Sequence, residues 1–301
     1  MTAQPSVRRV RDGAEIEDLC EAHQPLALLV SSPVNEVDGR ERARCWVVGE
    51  RGAELGAVTA VQVRPGTVTA SALLLDPDAA PTLASLVRRA GASRLSGGAA
   101  HVGPIAERIP GATTHPLELL GAPPRSKQAP RSVDGLQPDV RAWARTARAD
   151  DLPALVALYE QFPLEFIDPA ELAAVLAGLV QQHRVLVVVD DGRIVAAQRV
   201  EARSRHWNLW GGLTIAPEDR GQGYSRWLDR WAGELGRIEN RSAAGVRAPS
   251  NGVPHPLEGM VVEPWLEVVV PVAPTFAHRA ERWARRQART RLGTVSAGAA
   301  R

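Results

Sequence analysis

The sequence predicts an α/β protein made of two similar halves, each combining helices with a mixed sheet. The chain has 301 residues, and 45% of them are hydrophobic. That length supports a sizeable core and exceeds one usual domain. In both halves a helical apolar pattern comes first, strand patterns follow, and a second helix comes after the strands. We therefore expect two tandem domains of one α/β fold.

The second half carries the stronger patterns. Two segments have helical apolar spacing, and Asp150 or Asp151 is the candidate N-cap of the first. Two apolar runs flank the turn at Asp190, Asp191 and Gly192, which is typical of a β-hairpin. A third strand and a further helix follow. In order, the predicted segments are 150–162, 169–183, 185–189, 194–200, 207–215 and 226–235.

The first half repeats this order with weaker patterns. A helix is predicted over 14–22, a strand, turn and strand over 46–58, a strand over 68–75 and a helix over 82–89. Where the second half has a glycine-rich loop before its last helix, the first half has Asp76-Pro77-Asp78. We interpret the first half as a copy that lacks this loop.

The segment 121–139 separates the two halves. It is rich in proline, serine and glycine and has no sustained apolar period, which is typical of a linker. The predicted organisation is a first domain over 1–120, this linker, a second domain over 140–275, and a basic C-terminal helix and tail over 276–301.

Charge and cysteine content exclude several classes of protein. Net charge is only +2, from 36 basic and 34 acidic residues, so the whole chain gives no case for a polyanion partner. Cys20 and Cys45 lack metal-ligand spacing and cannot form a disulfide framework, so we expect no metal. No run approaches the roughly 18 apolar residues that span a bilayer, and the N-terminus has no apolar signal core. We expect a soluble cytoplasmic protein without membrane contact.

The most informative stretch is Leu213-Thr-Ile-Ala-Pro-Glu-Asp-Arg-Gly-Gln-Gly-Tyr-Ser225. An apolar strand stops at Pro217, and Gly221 and Gly223 allow backbone N–H groups to converge at a helix start. Such N–H groups and the positive end of a helix dipole favour oxyanions. Arg220 can add a charge-assisted contact. The stretch therefore predicts a site for a phosphate-bearing ligand.

The same string resembles the acyl-CoA binding segment of the GNAT acyltransferase superfamily, which has the spacing hydrophobic-x-Pro-x-x-Arg-Gly-x-Gly-x-small. The resemblance covers about half of the chain, and the first half is similar only as a degenerate GNAT-like copy. It implies an acyl-CoA donor, with acetyl-CoA the default. It also implies that Leu213 and Ile215 contact the pantetheine arm and thioester carbonyl through their backbone. The implied pyrophosphate cradle comprises Arg220, Gly221, Gln222, Gly223, Tyr224 and Ser225.

In this superfamily the acceptor amine attacks the thioester directly, so the protein must supply a base. Many members place a glutamate on the strand before the glycine loop and a tyrosine after the last helix, and neither is evident here. The candidate bases are Glu201, His206 and His255. A base works best when its pKa is close to the working pH. Solvated surface roles for these three residues stay open.

The resemblance implies an acceptor pocket between the first two helices of the second domain. Tyr159, Phe162 and Glu165 lie there, and Glu165 is the candidate for recognising a cationic amine. Helical spacing also fits Tyr159 and Phe162 as core residues.

Three functions remain open from the sequence. The first is an acyl-CoA-dependent N-acyltransferase acting on a small-molecule or peptide amine. The second is an aminoacyl-tRNA-dependent transferase on a GNAT-like fold, with tRNA held by arginines on one face of the C-terminal helix; they are Arg279, Arg282, Arg286 and Arg289. The same helix could instead be a solvated surface helix. The third function is a non-catalytic acyl-CoA-binding module.

Overall fold

The computed structural model describes residues 5–35, 43–64, 67–122, 142–162, 171–247 and 261–271. Within these residues one mixed sheet of twelve strands runs through both halves, and seven α-helices pack on it. The predicted α/β class is confirmed.

The first half begins with a strand and two helices, and three antiparallel strands follow. Asp12 caps the first helix by accepting a hydrogen bond from the N–H of Ala14 (3.0 Å). The elements are β1 Val7–Val10, α1 Gly13–Glu21, α2 Leu28–Asn35, β2 Ala43–Glu50, β3 Ala53–Arg64, β4 Thr67–Leu74, α3 Ala80–Arg89, β5 Ala92–Gly98, α4 Ala99–Ala106 and β6 Thr113–Ala122.

The second half has the same order of elements as far as its fifth strand. They are β7 Ala142–Thr146, α5 Leu152–Glu160, α6 Leu172–Gln181, β8 Val185–Asp190, β9 Arg193–Arg203, β10 Trp207–Ile215, α7 Tyr224–Glu239, β11 Ser242–Arg247 and β12 Val261–Val269. In each half a crossover helix joins two parallel strands, β4 to β5 and β10 to β11. The predicted duplication is therefore present in the fold.

The β8–β9 hairpin forms as its sequence predicts. Residues 185–189 are all buried, as expected for a strand covered on both faces. Asp191 and Gly192 both have positive φ, 46° and 77°, which matches the right-handed twist of the two strands.

The last strand of each half lies in the sheet of the other half. The strand order is β1-β2-β3-β4-β5-β12-β6-β11-β10-β9-β8-β7. Strand β12 pairs with β5 of the first half, and β6 pairs with β11 of the second half. Strands β6 and β12 pair with each other, with Leu117 opposite Trp265. Gly121 and Ala122, the first residues of the predicted linker, belong to β6.

The junction between the halves has its own buried core. Leu28 of α2 packs with Leu209 of β10, Leu119 of β6 and Trp265 of β12. Polar contacts surround this core. Ser204 Oγ donates to Gln24 Oε1 (2.6 Å), and Arg205, in the turn between β9 and β10, forms ion pairs with Glu17, Asp18 and Glu21 of α1. The strand exchange and this core join the halves into one body.

In the part of the chain that the structure describes, no helix combines the length and the apolar character needed to cross a membrane.

Candidate active site

Strands β10 and β11 separate at the candidate site. They pair in parallel only over Trp207–Trp210, opposite Ser242–Gly245. Strand β10 also shifts register against β9, between Leu209 and Trp210 and again between Gly211 and Thr214. Such irregularities re-aim the backbone and leave its polar groups outside the ladder. Among the described residues, the segment from Gly211 to Ile215 therefore has no strand partner on the β11 side, and it includes the predicted residues Leu213 and Ile215.

The predicted glycine loop lies between β10 and α7. Gly221 and Gly223 have φ of 83° and 82°, and apart from their chain neighbours no atom of the described residues lies within 4 Å of the position that a Cβ would take at either glycine. Gly223 is the N-cap of α7, and none of the described side chains caps this end of the 16-residue helix. Its first N–H groups can therefore donate hydrogen bonds to an external anion. A pyrophosphate fits this donor set and the free space around it.

Three hydrogen bonds hold the glycine loop on the β8–β9 hairpin. The guanidinium of Arg193 donates to Glu218 and to Asp219, each at 3.0 Å. The hydroxyl of Tyr224 donates to Asp190 (2.5 Å), and this hydrogen bond raises the pKa of Tyr224 to about 12. The Tyr224 side chain is thus bound to the hairpin, and its backbone N–H belongs to the helix start.

Arg220 lies on the rim of the same loop. Its guanidinium carbon is 5.1 Å from the centre of the Phe162 ring, a cation–π distance. The structure therefore brings Phe162, predicted in the acceptor pocket, next to a residue predicted to bind the donor.

Glu201 of β9 lies directly against the bulge in β10. A Cβ at Gly211 would be 2.3 Å from the carboxyl carbon of Glu201, so a larger residue there would force this carboxylate to move. Arg199 donates to Glu201 through Nη2 (2.9 Å). The Glu201 side chain is 38% exposed, whereas that of Arg199 is 8% exposed. A partly exposed carboxylate thus faces the open segment of β10.

Tyr159 lies below the bulge in the core of the second half. It is 1% exposed, and its hydroxyl donates to the carbonyl oxygen of Gly212 (2.9 Å). Burial raises the pKa of Tyr159, so its hydroxyl remains a donor. The guanidinium carbon of Arg199 is 5.6 Å from the ring centre. Tyr159 therefore contacts the backbone of β10 from inside the core.

The remaining predicted residues lie elsewhere. His206 precedes the first residue of β10, and its Nε2 is 3.0 Å from Glu21 of α1. It is five residues from Gly211, roughly 16 Å at about 3.3 Å per residue along a strand. Glu165, His255 and the arginines of the C-terminal segment lie outside the described residues.

Sequence reasoning missed Arg199, Gly211, Gly212, Asp190 and Arg193. Two features of the sequence could have indicated the glycines and Arg199. Paired glycines inside a strand often mark a bulge or a close approach of another group. An arginine within the apolar run 194–200 needs a buried partner.

The first half differs at the corresponding helix start. The carboxylate of Asp76 accepts a hydrogen bond from the N–H of Asp78 (2.8 Å) just before α3. This turn, Pro77–Ala79, leads directly into α3, whereas in the second half the glycine loop separates the corresponding turn, Pro217–Asp219, from α7. Asp78 adds a second acid to this turn.

No metal site is found in the described part of the chain, where no group of three or more His, Cys, Asp or Glu side chains converges. Cys20 and Cys45 are buried free thiols, and burial raises the pKa of both.

Two halves of this topology, one with an open strand next to a glycine-loop helix start, define a tandem GNAT-like fold. Several solved structures of GNAT-family proteins have a similar fold. A GNAT-family acetyltransferase from Colwellia psychrerythraea is 12% identical, has a TM-score of 0.53, and the match covers 88% of this chain and 100% of that one. A GCN5-related N-acetyltransferase from Sphaerobacter thermophilus is 13% identical with a TM-score of 0.53, and the match covers 89% of this chain and 96% of that one.

A GCN5-related N-acetyltransferase from Kribbella flavida is 15% identical with a TM-score of 0.50, covering 73% of this chain and 89% of that one. At these identities the similarity shows the fold. No protein-family model matches the sequence, and no curated protein matches it at a significant level.

Proposed function

We propose that this protein is an acyl-CoA-dependent N-acyltransferase whose donor site lies in the second half. The observation that carries the proposal is the uncapped start of α7 at Gly223, next to the open segment of β10. The start of α7 offers N–H groups to a pyrophosphate. The open segment of β10 offers its backbone edge to an extended pantetheine arm. Acetyl-CoA is the proposed donor.

Glu201 is the proposed general base. An acceptor amine reaches the protein as an ammonium ion and must lose a proton before it attacks. The carboxylate of Glu201 is partly exposed and lies against Gly211, at the open segment where the thioester is expected. The amine then forms the new C–N bond as the C–S bond breaks, and CoA leaves as the thiolate.

The acceptor is proposed to be a small-molecule or peptide amine. It would approach on the face of the sheet that carries Glu201, because the proposed base must reach the amine beside the open segment of β10. Phe162, predicted in the acceptor pocket, contacts Arg220 of the glycine loop, which is consistent with an acceptor that binds beside the donor.

Replacement of Gly221 by aspartate tests the donor site. The aspartate would place a negative charge beside the pyrophosphate, so G221D should lose CoA binding in calorimetry with purified protein. G221A is the matched control, because it carries the same strain of a positive φ without the charge. We expect weakened but measurable binding in G221A. Equal CoA affinity in wild type and G221D would refute the donor site.

A further inference from the structure

We propose that Tyr159 and Arg199 are positioning residues that hold the bulged peptide between Gly212 and Leu213 in the orientation needed to polarise the donor's thioester carbonyl. The inference rests on the proposed function and adds two residues to it. Neither side chain needs to touch a substrate, because both act on the backbone of β10 or on Glu201.

Tyr159 fixes the direction of one peptide unit. Its hydroxyl donates to the carbonyl oxygen of Gly212 at 2.9 Å from the core side of the strand. In a trans peptide the C=O of one residue and the N–H of the next point in opposite directions. When Tyr159 holds the Gly212 carbonyl, the N–H of Leu213 is therefore directed away from the core. Leu213 itself is 45% exposed at this point.

Arg199 supports the same peptide from a second side. Its Nη1 lies 2.0 Å from the position that a Cβ would take at Gly212, so the guanidinium fills the space a side chain would need. The group also packs over the Tyr159 ring and donates to Glu201. One buried cation thus contacts the ring that orients the peptide and the carboxylate proposed as base.

The arrangement has an energetic cost that packing alone does not explain. Nη1 of Arg199 is buried and has no hydrogen-bond partner among the described residues. Gly212 has a φ of +58°, in the left-handed region. A buried donor without a partner is uncommon and calls for a specific explanation, whereas glycine adopts a positive φ without strain, so Gly212 lets the chain turn here at little cost. Here both features occur at the peptide that would face the thioester.

The test is the infrared carbonyl band of acetyl-CoA labelled with ¹³C at the thioester carbon and bound to the full-length protein. Hydrogen bonding weakens a C=O bond, so the wild type should shift the band to lower frequency than in free acetyl-CoA. The Y159F variant removes one hydroxyl at nearly constant volume. In Y159F the band should move back toward the free value.

Two further variants and a binding control complete the experiment. R199M should also reverse the band shift, and R199K, which keeps a cation, should reverse it less. Calorimetric CoA affinity should change by no more than about twofold in Y159F, because the glycine loop is untouched. With an amine that the wild type accepts, kcat should fall about 10-fold to 100-fold, the range expected when reacting groups are misplaced.

The outcomes separate this inference from the proposed function. A wild type that does not bind acetyl-CoA would overturn both. A wild type that binds and shifts the band, together with a Y159F band at the same frequency, would overturn the positioning role alone. A parallel loss of CoA affinity and thermal stability in Y159F would also overturn it, because that result indicates a general structural role.

Discussion

At the scale of single residues, the site depends on which group can reach the open segment of β10. Glu201 lies against Gly211, while His206 lies at the other end of the strand and contacts Glu21. A general base must lie within hydrogen-bond reach of the proton it removes, directly or through one water. Geometry therefore favours Glu201 over His206.

We predict that E201Q lowers kcat by about 100-fold or more, since general-base catalysis typically contributes that much. The amide keeps an oxygen that can accept from Arg199, so the fold should be retained. H206Q should leave kcat within about twofold of wild type. Steady-state kinetics with acetyl-CoA and an accepted amine would measure both. Large loss in H206Q with full activity in E201Q would reverse the assignment.

The glycine loop was predictable from sequence, because Pro217, Gly221 and Gly223 are local signals of backbone conformation. The role of Arg199 was not predictable. Its position against Gly212 depends on a register shift between two strands, and sequence patterns do not specify where such a shift falls. Tyr159 was ambiguous for a related reason, since helical spacing places it in the core without showing what its hydroxyl contacts.

At the scale of elements, the two halves differ most at the start of the helix that follows their fourth strand. Helix α7 begins at Gly223 without a side-chain cap, while the turn before α3 carries the carboxylate of Asp76 on the N–H of Asp78. The proline turns before the two helices both carry acids, and the difference between the halves is the glycine loop, which lies between turn and helix in the second half and is missing from the first. The two acids and Pro77 in the first half were visible in the sequence, and the structure adds the hydrogen bond.

We predict that one CoA binds per chain, because the first half has acids and prolines before α3 and lacks the glycine loop whose N–H groups would hold a pyrophosphate. Calorimetry of the wild type with CoA would give the stoichiometry. G221D supplies the control, since it should remove all binding and not half of it. A stoichiometry near two, or residual CoA binding in G221D at undiminished affinity, would show that the first half also holds a donor.

At the scale of the whole molecule, the exchange of β6 and β12 determines how the halves depend on each other. Each half completes its sheet with a strand that the other half shares. The duplication could be predicted from the repeated order of elements. The exchange could not, because strand partners distant in sequence are set by tertiary packing, and a self-contained pair of domains would satisfy the same local patterns.

We predict that cutting the chain within segment 123–141 leaves its two fragments associated. A protease site inserted there separates β6 from β7 without removing a described strand. The first fragment would still pair β5 with β12 and β6 with both β11 and β12, and the buried contacts around Leu28, Leu209 and Trp265 would persist. The cut protein should elute with the uncut protein in size-exclusion chromatography and separate into two fragments only in denaturant. Two independently folded domains joined by a simple linker would instead give two smaller native species after cleavage, and that result would contradict the exchanged sheet.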